Sequence, residues 1–188
     1  MTVIEKKRPT LQITWDVLPR DGSKARTLVF ASAKKKTASV EEACARPANS
    51  IAVGDRLRLE LWSDMDGYLS LFDFGTSGRM TKLFPNRNFS TEDNHIEAGK
   101  RYAAPGELLP VPDFLVSGPT TAESGRKERL LVIVTRHPVD LSESAVLGAE
   151  MSFATRGGFA AVEETVSSLL DLPEDEWTYG LIETEVVS

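Results

Sequence analysis

Hydrophobic and polar residues alternate along most of this chain with a period of two. In Leu11-Gln12-Ile13-Thr14-Trp15-Asp16-Val17 every second residue is apolar, the pattern of a strand with one buried face. Pro19-Arg20-Asp21-Gly22 supplies turn chemistry, because proline presets one dihedral and glycine accepts a positive one. Thr27-Leu28-Val29-Phe30 then returns, predicting an N-terminal hairpin over about 10–31. After Val53-Gly54-Asp55, three leucines (Leu57, Leu59, Leu61) face one way and Arg56, Arg58, Glu60 and Trp62 the other. Turns at Asp64-Met65-Asp66-Gly67 and Gly75-Thr76-Ser77-Gly78 lead into Tyr68–Phe74 and Met80–Phe84, which predicts a three-stranded meander between 55 and 84. Short strands are expected at 94–97, 100–103 and 114–116. Arg129 to Thr135 is the most apolar segment and reads as the central strand of a sheet. Trp177 to Val186 alternates once more, as a last strand.

Two segments break the pattern. Ser39-Val40-Glu41-Glu42 has capping-box spacing, which predicts a short helix near 39–46 that Pro47 ends. Near 158–171, Phe159, Val162, Val166, Leu169 and Leu170 share one helical face, predicting a helix that caps the core. Short strands at regular spacing with one or two helices argue for a mainly β fold, an antiparallel β-sandwich or open barrel. At 188 residues the chain has the size of a single domain, 1–188. In this reading a β core at about 52–137 carries the hairpin and the C-terminal helix and strand, about 158–187, packed on it.

Composition narrows the classes. The longest apolar run, Leu130 to Val134, is five residues long, too short to cross a membrane. The opening MTVIEKKRPT lacks an apolar stretch behind its bases, so no secretory signal is expected and the expected location is cytoplasmic. Charge is polarised: residues 1–46 hold ten bases and five acids, residues 138–188 one base and eleven acids. The two ends are either solvated faces of opposite sign or the basis of a salt-sensitive self-association. Lys6-Lys7-Arg8 and Lys34-Lys35-Lys36 lack interleaved aromatics, and the net charge is -6. Nucleic acid is therefore not an expected partner.

The middle of the chain resembles a known family. Val53-Gly54-Asp55, Asp66-Gly67-Tyr68-Leu69 with Leu71-Phe72, Gly78, Leu83-Phe84-Pro85-Asn86, Asn94-His95-Ile96 and Ala98-Gly99 are similar to the bacterial domain of unknown function 4384. Gly118-Pro119 and Glu128 ahead of the strand Leu130 to Thr135 also fit. The resemblance covers roughly 52–137 and implies a non-catalytic β-rich module. Members often occur beside signalling kinases, caspase-like peptidases or envelope proteins. The residues of the signature have architectural explanations: Gly67 permits a tight turn, Tyr68 and Phe84 fill space, and the Asn86 side chain bonds nearby backbone. The functional alternative is a shallow site at the loops 64–68 and 86–90.

Candidate chemistry is sparse. Asp64-x-Asp66-Gly67 lacks the rest of a calcium loop and reads as a turn. Cys44, between Ala43 and Ala45, reads as a buried thiol, and neither His95 nor His137 has a partner at ligand spacing. No G-x-S-x-G elbow or phosphate loop is present, Gly157-Gly158 included. Asn88-Phe89-Ser90 is a sequon by letters alone. No catalytic, cofactor or metal residue is assigned, and no enzyme is expected. Surface aromatics are the better lead. Trp62 faces outward or lies beneath the helix or the last strand, while Arg87 and Phe89 sit in a polar loop. Trp and Arg are the usual anchors of protein interfaces, so Trp62, Arg87 and Phe89 are the candidate interaction surface. The expected function is a non-catalytic protein–protein interaction module, as adaptor, regulator or target in a bacterial multi-component signalling, peptidase or defence-type system. The alternative is a small-molecule or glycan-binding sandwich, which calls for a concave patch with several aromatics. A partner strand added to a free sheet edge is a second route to binding.

Overall fold

Alternating leucines and valines with polar residues between them need a second apolar layer, and here each of two sheets provides it for the other. The computed structural model describes residues 8–20, 24–31, 50–75, 79–85, 93–109, 111–116, 127–139, 153–154 and 171–187. They form the strands β1 (Leu11–Leu18), β2 (Arg26–Ala31), β3 (Ser50–Ala52), β4 (Arg56–Ser63), β5 (Gly67–Phe74), β6 (Arg79–Phe84), β7 (His95–Ile96), β8 (Arg101–Ala104), β9 (Phe114–Leu115), β10 (Lys127–Thr135), β11 (Phe153–Ala154) and β12 (Trp177–Val187). The first sheet runs β2-β1-β4-β8, with β9 also paired to β4. The second runs β11-β6-β5-β10-β12-β3, with β7 paired to the start of β5. All pairings are antiparallel except β12 with β3.

The core lies between the sheets. From the first come Leu11, Ile13, Trp15 and Val17 of β1 and Leu57, Leu59 and Leu61 of β4. From the second come Leu69, Leu71, Leu130, Val132, Val134, Ile182 and Val186. Each fully buried aliphatic side chain contributes roughly 1.5–3 kcal/mol. The layers approach closely at Gly180, where a Cβ would lie 2.7 Å from the Ile13 Cδ1. A second apolar cluster, Phe72, Phe74, Leu131, Ile133 and Trp177, occupies the other face of the second sheet, with Leu172, Tyr179 and Leu181 packed against it. Strand β10 is therefore buried on both faces, the reason its sequence is an unbroken apolar run. The Arg8 guanidinium sits 4.5 Å over the Trp177 ring, which stacks on Tyr179, so the approach to β1 is tied to the far side of the second sheet.

The expected hairpin over 10–31 is present as β1 and β2, in register from Gln12 opposite Ala31 to Val17 opposite Arg26. Among the described residues the architecture is mainly β, two sheets and no closed barrel. One expectation is corrected. Residues 55–84 do not form a three-stranded meander, because β4 belongs to the first sheet and β5 and β6 to the second. The segment Asp64-Met65-Asp66 is a corner between layers. Met65 is buried in the core, and the Asp64 and Asp66 carboxylates accept from the backbone N–H groups of Thr10 (2.6 Å) and Ala98 (2.8 Å). Alternation identifies a strand's buried face but not its neighbours. No helix occurs among the described residues. The expected helix near 39–46 lies outside them, as does that near 158–171 apart from Asp171, which is in a turn.

Candidate functional site: the outer face of the first sheet

Period-two geometry sends the residues between the core positions of β1 and β4 to the outer face of the first sheet. Register aligns them in rows across the strands. Gln12, Trp62 and Arg101 make one row; Thr14, Glu60 and Ala103 the next; Thr27, Asp16 and Arg58 the third; Leu18, Arg56 and Leu115 the last. Trp62 is half-buried, flanked by Gln12 and Arg101. It shares the outer face with Arg56 and Arg58; among the described residues the last strand does not cover it, since β12 belongs to the other sheet, and the helix expected near 158–171, the other candidate cover, lies outside them apart from Asp171.

The charges on this face are paired but wet. Asp113, just before β9, has a side chain only 8% exposed and receives Arg58 Nε at 2.5 Å and Arg56 Nη1 at 3.7 Å. Arg101 pairs with Glu60 across β8 and β4. The three arginine side chains remain 55–65% exposed. Exposed pairs of this kind contribute at most about 1 kcal/mol each; their effect here is to orient Arg101 at the Trp62 end of the face and Arg56 and Arg58 at its other end. Thr27 Oγ1 donates to Asp16 at 2.6 Å, joining β2 to β1 in the third row. At the rim, Leu115 is 69% exposed, the largest exposure of any described large apolar side chain.

Of the three residues expected to form the surface, Trp62 lies on this face, and Arg87 and Phe89 lie outside the described residues. Cys44 and Asn86 also lie outside them. Arg56, Arg58 and Glu60 were placed on the Trp62 side by alternation alone. Arg101, Asp113 and Leu115 were missed, because only strand pairing brings β8 and β9 to β4.

The remaining polar residues of the middle segment serve the frame. Asp55 is buried, and its two carboxylate oxygens accept from the backbone N–H groups of Arg20 (3.2 Å) and Ala52 (2.8 Å). Asn94 donates its side-chain amide to the Leu69 carbonyl, and the Tyr102 hydroxyl accepts from Glu97 N–H. Phe84 is buried in the core, and Tyr68 meets the exposed His95 ring edge to face. The exposed His137 offers its carbonyl to Thr135. On the second sheet, Asp73 lies opposite Leu130 and so diagonally beside Glu128, on the core side by parity. Burial, then the Glu128 carboxylate, pushes its pKa well above the usual carboxylate range. Glu183, on the outer side, is held below that range, first by the hydrogen bond from Lys127 and further by Arg129 at 2.7 Å.

This frame is the part of the chain with a known likeness. Residues 50–138 match the family described as a domain of unknown function, DUF4384. The matched segment runs from the first residue of β3 to just beyond β10, and includes the Gly67-Tyr68, Phe84-Pro85 and Asn94 positions of the resemblance. It leaves out β1 and β12, which pair with its own strands β4 and β10. Comparison with curated proteins and with solved structures gives no significant match.

Proposed function

We propose that this protein is a non-catalytic protein–protein interaction module that engages its partner through the outer face of the first sheet. In this reading it is an adaptor, regulator or target in a bacterial multi-component system of the signalling, peptidase or defence type, acting in the cytoplasm. The observation that carries the reading is a half-buried tryptophan flanked by Arg101, with two further largely exposed arginines, Arg56 and Arg58, on the same sheet face. Those residue types dominate the energetics of protein interfaces. The buried Asp55 is committed to two backbone amides of the frame and Asp113 to Arg58 and Arg56, and carboxylates so held are poorly placed for acid–base work. Trp62 is the one aromatic among the residues aligned on this face, whereas a sugar- or metabolite-binding face calls for several.

The test is capture from the native host with the tagged full chain and its Trp62→Ala variant, at low and high salt. A partner recovered near one-to-one by the wild type is then purified and titrated against both proteins. The expected result is at least a tenfold weaker affinity for the variant, since truncating a central interface tryptophan costs about 2 kcal/mol or more. Equal affinity of the two proteins overturns the assignment of this face. Recovery of the bait alone, together with a thermal shift from a metabolite or glycan panel, replaces the reading with a ligand-binding one.

A further inference from the structure

The described strands end their sheets in unequal ways. At the β8 and β9 side of the first sheet the edge is short, four and two residues. It is also blunted, since Ala103 already accepts from Leu108 N–H and Pro105 follows directly. The borders of the second sheet are β11, β7 and β3, of two, two and three residues; β3 covers only Glu185–Val187, so Trp177–Thr184 of β12 also has no described strand on that side, but that stretch carries the charge of Glu183. Strand β2 differs. It has six residues in continuous register with β1 and, among the described residues, no strand on its other side. Natural edge strands are usually protected by charge, proline or a bulge. Thr27 to Ala33 contains neither a charge nor a proline, and the β1–β2 register has no bulge.

Charge decides what this edge fits. From Gly22 to Val40 the sequence has five bases and no acid, with Lys24 and Arg26 before the neutral run and three lysines after it. A second copy laid on this edge would bring two stretches of charge +5 together, which like charges disfavour. We propose that the β2 edge is a strand-addition site for an extended, acidic segment of another protein, apolar or β-branched at its centre. This deepens the interaction reading above and takes from it only that the partner is a protein. Four rows of the outer face span about 20 Å and four strands about 14 Å, or roughly 300 Å² of flat sheet. A standard interface needs about 800 Å² from each partner. An added strand widens the sheet and contributes main-chain hydrogen bonds, with side-chain alternation providing specificity.

The probe is a labelled synthetic peptide, EEVTVTVEE, titrated against the full chain, with KKVTVTVKK and EEVTPTVEE as controls. Binding of the acidic peptide alone is expected, weakening roughly tenfold between about 50 and 200 mM salt. Amide hydrogen exchange should then slow at alternate residues of 26–31 and remain unchanged in β8. Trp62→Ala, two strands away, should leave this binding unchanged, so loss of partner capture and loss of peptide binding are separate outcomes. No binding of the acidic peptide at low salt, equal binding of the basic one, or binding without slowed exchange in β2 would each overturn the proposal.

Discussion

Replacing Gly67 by alanine tests the frame at the point where the chain enters the second sheet. The residue's φ lies outside the left-handed region, so its requirement is for space alone. A Cβ there would lie 2.4 Å from the Thr135 carbonyl oxygen and 3.2 Å from Val134 Cγ1, about 1 Å inside ordinary contact with the oxygen. The obstacle is main chain. Thr135 is held opposite Tyr68 on one side and Trp177 on the other, so β10 cannot yield without disturbing two ladders. The cost belongs at the top of the overpacking range, about 3 kcal/mol, or a fall in Tm of about 6–12 °C for a chain of this size. Gly99→Ala is the internal control. Its φ is +78° and nothing lies within 4 Å of where its methyl group would sit, so only the left-handed backbone costs energy, about 1 kcal/mol. Urea unfolding of both variants against wild type measures the difference. Equal midpoints for the two variants, or a Gly67→Ala midpoint indistinguishable from wild type, would refute the close approach of β5 and β10.

Two further substitutions probe the buried carboxylates. Asp55→Ala orphans the amides of Arg20 and Ala52 and should cost about 3 kcal/mol in urea unfolding, with Asp55→Asn retaining part of that because one oxygen remains; a loss below about 0.5 kcal/mol would contradict the two hydrogen bonds. Asp73 holds its proton more tightly in the folded state than at the ordinary value of 3.8, so its contribution is present at low pH and is lost as pH rises from that value through the raised one. Asp73→Asn should therefore raise the midpoint at neutral pH and flatten the decline across that window, and parallel pH profiles for variant and wild type would remove Asp73 as its source.

The strands were legible because each has one face in the core. In Arg56 to Trp62 a two-residue period fixes which residues point outward once Leu57, Leu59 and Leu61 point in, and so the central residue of the surface was found. Its neighbours needed register, which that period does not contain. Arg101 reaches Trp62 only because β8 pairs with β4, and Asp113 reaches Arg58 across 55 residues of sequence. The corner at Asp64-Met65-Asp66 was misread for a related reason. A hairpin turn and a crossing between layers use the same residue types, and what separates them is which amides the two carboxylates accept. Those amides, at Thr10 and Ala98, are 54 and 32 residues away.

That corner links the frame to the surface. By leaving the first sheet at Ser63, the chain frees the far side of β4 for β8, which arrives after β7 has paired with the start of β5. The crossing thus places Arg101 beside Trp62, and the signature glycine at 67, by allowing β5 to lie tightly against β10, fixes where the crossing ends. Gly67, which carries part of the resemblance, is in this sense a builder of the face rather than a member of it. The face itself is composite. Arg56, Arg58, Glu60, Trp62 and Arg101 come from the matched segment 50–138, whereas Gln12, Thr14 and Asp16 come from β1, outside it. The proposed edge at β2 lies wholly outside it. In the proposed reading the two surfaces therefore divide between the matched frame, which carries Trp62 and its arginines, and the hairpin outside it, which carries the edge.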